Sequence, residues 1–216
     1  CQAQAVAQVS ILIKFRVFFN PYPHNFMPKS TQTGRLLLTP RDPHATPEAG
    51  PIVNLLTDMG LIAAPLPSRP RAYRVGERFL QLISFAGCSP HIQLAPPPDG
   101  SGAFCHIQVL GPEPAIRLLT GRNTRSPRCP VCRQGLAHWQ ALRAQWERDP
   151  DRPFGCPHCA TALVPLGLVW KQSAGFGRFF VAVEDVFPGE AAPVPELLQR
   201  LQHGSGEPWH FFYVQD

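Results

Sequence analysis

Apolar and polar positions along the chain sort into short, well-punctuated elements. Leu36-Leu37-Leu38 is a short apolar run between polar, proline-rich segments and predicts a strand. After Pro51, residues Ile52, Leu55, Leu56 and Met59 follow i, i+3, i+4, i+7 spacing, one apolar helix face, and Gly60 supplies its stop. Residues 63–71, rich in proline, predict a loop, and Ala72 to Val75 a strand. Phe79 to Phe85 is mainly apolar and fits either a helix or a strand. His91 to Leu94 and Cys105 to Val109 alternate as two strands of a hairpin. In that hairpin Ile92, Leu94, Cys105, Ile107 and Val109 face inward, and His91, Gln93, His106 and Gln108 face solvent. A short helix is expected over Ala115 to Leu119.

Further along, Leu136, Trp139, Leu142 and Trp146 keep helical spacing, which predicts a helix whose tryptophans are core. Leu166 to Lys171 and Arg178 to Val183 read as an antiparallel pair around a turn at Ser173 to Gly177. Pro195 opens a helix carrying Leu197, Leu198 and Leu201, with Gly204 as its stop, and Trp209 to Val214 is a last strand. The expected class is α+β: a mainly antiparallel sheet with a few short helices.

Composition narrows the picture. With 44% hydrophobic and 16% charged residues, the 216-residue chain is globular and apolar rather than disordered. The formal net charge is a modest +5, carried by arginine far more than lysine. Residues 114–152 hold eight arginines against Glu147, Asp149 and Asp151, while residues 184–216 hold six acids against Arg200. Residues 1–26, ahead of Met27, contain an apolar run broken by Lys14 and Arg16, unlike a signal peptide. They are expected to be a non-native or disordered extension with no part in the core. No apolar run is long enough to span a bilayer, so no membrane association is expected.

Chemistry concentrates in one stretch. Cys129-Pro130-Val131-Cys132 is followed after 23 residues by Cys156-Pro157-His158-Cys159, and both extend to Cys-Pro-x-Cys-x-x-x-Leu, ending at Leu136 and Leu163. Cysteines at i and i+3 of a tight turn aim two sulfurs at one point, and two such turns supply four thiolates for one tetrahedral ion. The stretch resembles the zinc-ribbon and rubredoxin-like knuckle class over residues 129–163. That resemblance implies one structural Zn²⁺ bound by Cys129, Cys132, Cys156 and Cys159. Many such knuckles have glycine after the second cysteine. Here Arg133 and Ala160 stand there, and Zn²⁺ is expected in preference to iron.

The implied organisation is a 27–128 first part of an α+β body, a 129–163 metal module and a 164–216 second part. Metal-type cysteine pairs suggest a reducing, cytoplasmic setting. The alternative for the pairs is a thiol–disulfide oxidoreductase or redox sensor, although each pair follows a loop and not a buried strand. Cys88, His91, Cys105 and His106 look like a second ligand set, but strand alternation sends Cys105 and His106 to opposite faces, which favours packing roles.

No nucleophile elbow, phosphate loop, dinucleotide fingerprint or His-Glu-x-x-His occurs, and no small-molecule substrate suggests itself. Glu184 and Asp185 would point to opposite faces of a strand. Arg122, Arg125 and Arg128 precede the first metal turn and Arg133 follows it, a candidate anion-binding surface for nucleic acid or an acidic protein.

Overall fold

A computed structural model of the chain describes residues 34–67, 69–86, 92–97 and 103–215. In chain order the first elements are β1 (Gly34–Pro40), α1 (Ala49–Asp58), β2 (Ile62–Pro65), β3 (Ala72–Val75), α2 (Phe79–Leu82), β4 (Ile83–Phe85), β5 (His106–Leu110) and β6 (Arg117–Thr120). There follow α3 (Trp139–Arg148), β7 (Phe154–Gly155), β8 (Ala162–Leu163), β9 (Ala174–Gly177), β10 (Phe180–Val186), β11 (Ala191–Pro193), α4 (Pro195–Ser205) and β12 (Trp209–Gln215). The fold is α+β, mainly antiparallel, with few short helices.

A six-stranded sheet of order β12-β1-β10-β5-β3-β2 forms the frame. Its central strands are apolar on both faces because both faces are covered. Leu36, Leu38, Val181, Val183, Ile107 and Val109 point into the main core, where α1, α2 and α4 pack. The alternate residues Leu37, Phe180, Ala182, Phe212 and Val214 form a second cluster on the opposite face, against which Leu119 of β6 packs. Thus all three leucines of β1 are fully buried.

The expected α1 face holds: Ile52, Leu56 and Met59 are buried and Leu55 is partly so. The helix starts at Ala49, two residues before Pro51. It ends as foreseen at Gly60, φ 71°, with Gly60 N–H donating to Thr57 O and Leu61 N–H to Leu56 O. α4 runs past Gly204 to Ser205 and stops at left-handed Gly206. Gly204 serves a different end: a Cβ there would lie 2.6 Å from Leu55 Cδ2, so its bare backbone lets α4 approach α1.

Several expectations are corrected. Residues 63–71 are not all loop, because Ile62–Pro65 forms edge strand β2 on β3. Proline is tolerated on an edge, where no neighbour needs its missing N–H. Phe79 to Phe85 splits into helix α2 followed by strand β4. Ala115 to Leu119 contains no helix; Arg117–Thr120 is β6, paired with β9.

Leu166 to Lys171 and Arg178 to Val183 do not pair with each other. The supposed turn is itself strand β9, and β10 pairs instead with β1 and β5. The β9 glycines answer to close approach: a Cβ on Gly175 would sit 2.5 Å from the Phe212 ring, and one on Gly177 2.6 Å from Thr39 Oγ1. Asp185 is a bulged residue, φ 61°, so simple alternation fails at Glu184 and Asp185.

Residues 92–94 form no strand, although Cys105 N–H donates to Gln93 O and Ile92 and Leu94 pack on the main core as expected. His106 is not solvent-facing. It is 4% exposed, capped by Arg69 and Phe104. Residues 1–33, Cys88 and His91 lie outside the described residues.

Candidate metal centre

Two hairpin turns carry the four cysteines, and they repeat one another bond for bond. In the first, Arg128 pairs with Gly135, Cys129 N–H donates to Gln134 O (3.0 Å) and Arg133 N–H to Cys129 O (3.0 Å). In the second, β7 pairs with β8, Cys156 N–H donates to Thr161 O (2.9 Å) and Ala160 N–H to Cys156 O (2.9 Å). Arg133 and Ala160 hold left-handed backbone, φ 61° and 58°. The turns therefore keep the conformation that glycine usually serves, without glycine. Leu136 and Leu163 are buried beneath, as the repeat predicts.

The four sulfurs converge. Cys129 Sγ lies 3.9 Å from Cys159 Sγ, Cys132 Sγ lies 3.8 Å from Cys156 Sγ, and all four fall within 4.8 Å of one another. Four Zn–S bonds of about 2.3 Å at tetrahedral angles require edges of about 3.8 Å. The donor set thus fits one tetrahedral ion. The first cysteine of each pair is buried and the second lies nearer solvent.

Local donors tune these thiols. The amides of Cys132 and then Val131 hold the Cys129 thiol below its usual range. The hydroxyl and amide of Thr161 bring Cys159 down to about 6. At Cys132 the Gln134 amide pulls down, yet burial and the neighbouring cysteine sulfurs win and push the thiol up to about 12. Sulfurs that ionise first make the next ionisation costly, and a divalent cation at the centre removes that cost.

Packing extends the unit beyond the cysteine stretch. Trp139 and Trp146 of α3 are buried, with Leu142 half-buried, so the tryptophan stripe is core as expected. Trp170 meets Trp139 edge-on at 5.1 Å and Trp146 at 6.4 Å. Ile116, Leu118, Leu168 and Phe176 complete this cluster from outside residues 129–163.

Arg122, Arg125, Arg128 and Arg133 are all exposed, and among the described residues none lies within ion-pair reach of a carboxylate. Arg128 Nη1 donates to Arg133 O at 3.4 Å, which lays Arg128 over the first turn. The loop beneath is pinned: Asn123 Nδ2 donates to Tyr213 O, Thr124 Oγ1 to Ser173 O and Arg125 N–H to Ser173 Oγ.

Cys105 stands apart, fully buried in the main core, with its thiol pushed up to about 12 by burial and then by Asp185 and Glu184. His106 faces away from it. Its Nε2 accepts from Arg69 (2.9 Å), so Nδ1 carries the hydrogen and donates to Phe104 O (2.9 Å). Thr161 and the His158 Nε2 contact with Gly135 O (3.1 Å), which ties one turn to the other, had escaped sequence reasoning. Both residues are visible only as neighbours of the cysteines.

Among the described residues no helix is long and apolar enough to cross a membrane. Compared with protein-family models, curated proteins and solved structures, the chain matches none of them.

Proposed function

We propose that this is a non-catalytic zinc protein whose Zn²⁺, held by Cys129, Cys132, Cys156 and Cys159, organises a zinc-ribbon-like unit that presents arginines to nucleic acid. The observation that carries this reading is the convergence of four sulfurs to within 4.8 Å of one another, with two separations, 3.9 and 3.8 Å, at the edge length of a ZnS₄ tetrahedron. Four thiolates close the coordination sphere, leaving no position for water or substrate, so the ion's work is structural. A cation there fastens two turns whose thiols otherwise repel one another on ionisation. The exposed, carboxylate-free arginines beside the first turn supply planar forks for phosphate. Cysteines kept as metal-binding thiolates rather than disulfides suit a reducing compartment such as the cytoplasm. Thiol–disulfide exchange is disfavoured because both pairs sit on hairpin turns and not at the helix N-terminus that redox pairs use, and Cys159, the thiol that Thr161 lowers, is one of four sulfurs converging on a single point.

Metal analysis of protein purified under reducing conditions tests the first half: one Zn²⁺ per chain is expected, lost when any of the four cysteines becomes Ser. A gel-shift and salt titration with mixed RNA and DNA tests the second. Binding should weaken with salt, and Arg122→Ala/Arg125→Ala/Arg128→Ala should flatten the log–log slope with zinc retained. Absence of binding at low salt would remove nucleic acid and leave an acidic protein as the partner.

A further inference from the structure

A cleft of about 520 Å³ opens between the metal unit and the start of β12, within the range of about 300–1,000 Å³ that small-ligand sites occupy. Its lining includes two cations, Arg41 just after β1 and Lys171, and no carboxylate. Among the described residues neither cation has an ion-pair partner. Trp170, Phe176, Trp209 and Phe211 line it as well. His210 adds another ring; burial first, and then the charge of Arg41, push its pKa below the usual value, so it stays neutral at pH 7.

Two features mark this as a built site. Lys171 and the adjoining Gln172 both hold left-handed backbone, φ 47° and 60°. Two such residues in succession carry strain, and strain of this kind gathers where a side chain must be aimed. The turn is held by Tyr213 N–H donating to Gln172 O at 2.9 Å. In addition the buried indole N–H of Trp170, 7% exposed, has no hydrogen-bond partner among the described residues, which folded proteins seldom leave so.

We propose that this cleft binds a nucleotide unit, with its base against the half-buried ring of His210 or Phe211 and its phosphate between Arg41 and Lys171. Two uncompensated cations match a phosphate monoester dianion better than a single carboxylate. Trp170, Phe176 and Trp209 are packed into their own clusters, so the half-buried rings of His210 and Phe211 are the ones that offer a base a stacking surface. The nucleotide is either free or the 5′-phosphorylated end of a single strand. The site shares no residue with the four cysteines or the arginine loop, but Leu168, Trp170 and Phe176 belong to the cluster beneath the cysteine turns, so it is tested on the metal-loaded chain, where its outcome is separate from that of the nucleic-acid surface proposed above.

Titration calorimetry of the full chain with AMP, adenosine, inorganic phosphate and a 5′-phosphorylated tetranucleotide tests it. AMP should bind at least about tenfold more tightly than adenosine or inorganic phosphate, since charge and stacking both contribute. A tetranucleotide tighter than AMP assigns the site to strand ends; equal or weaker binding assigns it to free nucleotide. Arg41→Gln/Lys171→Gln should lower AMP affinity at least about tenfold, whereas Arg122→Ala/Arg125→Ala/Arg128→Ala should leave it within about twofold. Any of three results overturns the proposal: no binding of AMP or tetranucleotide at roughly 1 mM, adenosine or phosphate matching AMP, or unchanged AMP affinity in a folded Arg41/Lys171 double variant. Should that variant fail to fold, the comparison of AMP with adenosine and phosphate on the native chain decides alone.

Discussion

Stripping the metal, or replacing Cys156 by Ser, is expected to part the two cysteine turns while the six-stranded sheet stays folded. The magnitudes follow from the contacts. Ordering the twelve residues 129–134 and 156–161 costs about 12–24 kcal/mol at about 1–2 kcal/mol each. Against this, burying Leu136 and Leu163 returns about 3–6 kcal/mol. Four turn hydrogen bonds and the exposed His158–Gly135 bond add about 5 kcal/mol at about 1 kcal/mol each. These terms fall short of the ordering cost. The proposed Zn²⁺, worth about 10–16 kcal/mol at a structural site of this kind, would close the gap. Native-state hydrogen exchange with and without a zinc chelator reads the outcome. The amides of Cys129, Arg133, Cys156 and Ala160 should lose protection, and those of Leu36, Leu37 and Leu38, held between β10 and β12, should keep it. Full protection of the turn amides after chelation would refute the reasoning, because packing alone would then suffice.

Ala160→Gly should raise the melting temperature with zinc content unchanged: left-handed alanine costs about 1–2 kcal/mol, of which the freer unfolded glycine takes back about 0.4–1; a lower melting temperature would contradict this. The buried Cys105 thiol ionises near 12 when folded but earlier when unfolded, so stability should hold to about pH 9 and then fall toward pH 12 by up to about 1.4 kcal/mol per pH unit. Cys105→Ala should flatten that alkaline fall in denaturant titrations. Burial lowers the pKa of His106, so the unfolded chain binds its proton first and stability should drop as pH falls below about 6.5; His106→Asn should reduce the drop. Gly121→Ala would set a Cβ 2.3 Å from the backbone oxygen of Gln215. It should cost about 1–3 kcal/mol in thermal or denaturant unfolding while zinc stays bound.

What could be read from the sequence was what local chemistry determines. The repeated Cys-Pro-x-Cys-x-x-x-Leu announced the cysteine centre, because two short turns fix their own geometry and need only be brought together. Apolar runs and spacing likewise announced β1, α1, α3 and β12. The errors fall where a distant partner decides. Arg117–Thr120 reads as helix in isolation and becomes a strand because β9 lies beside it. Gly175 and Gly177 resemble a turn until the Phe212 ring and Thr39 are seen above them, and Gly204 resembles a helix stop until Leu55 is. Alternation placed His106 on the correct face, but nothing local reveals that Arg69 and Phe104 cover it. The cleft at Lys171 was invisible for the same reason: its cations and rings are gathered from residues 41, 170–176 and 209–211.

Strand β1 sits between two strands made far later, its Leu38 opposite Val181 and its Gly34 opposite Gln215. Pairings across so much chain form slowly, since loop closure precedes any gain from contact. During synthesis the Leu36–Leu38 run therefore leaves the ribosome long before its partners, as a sticky strand without neighbours. The cysteine turns and their tryptophan cluster, whose residues end at Phe176, are complete while β10 is still being made. On the proposal that the four cysteines hold zinc, the ion would then seat a folded platform ahead of the sheet, on which β10 and β12 arrive in turn. A shortage of metal would be felt first at that moment, as chains lost to aggregation before any finished protein is missing its ion.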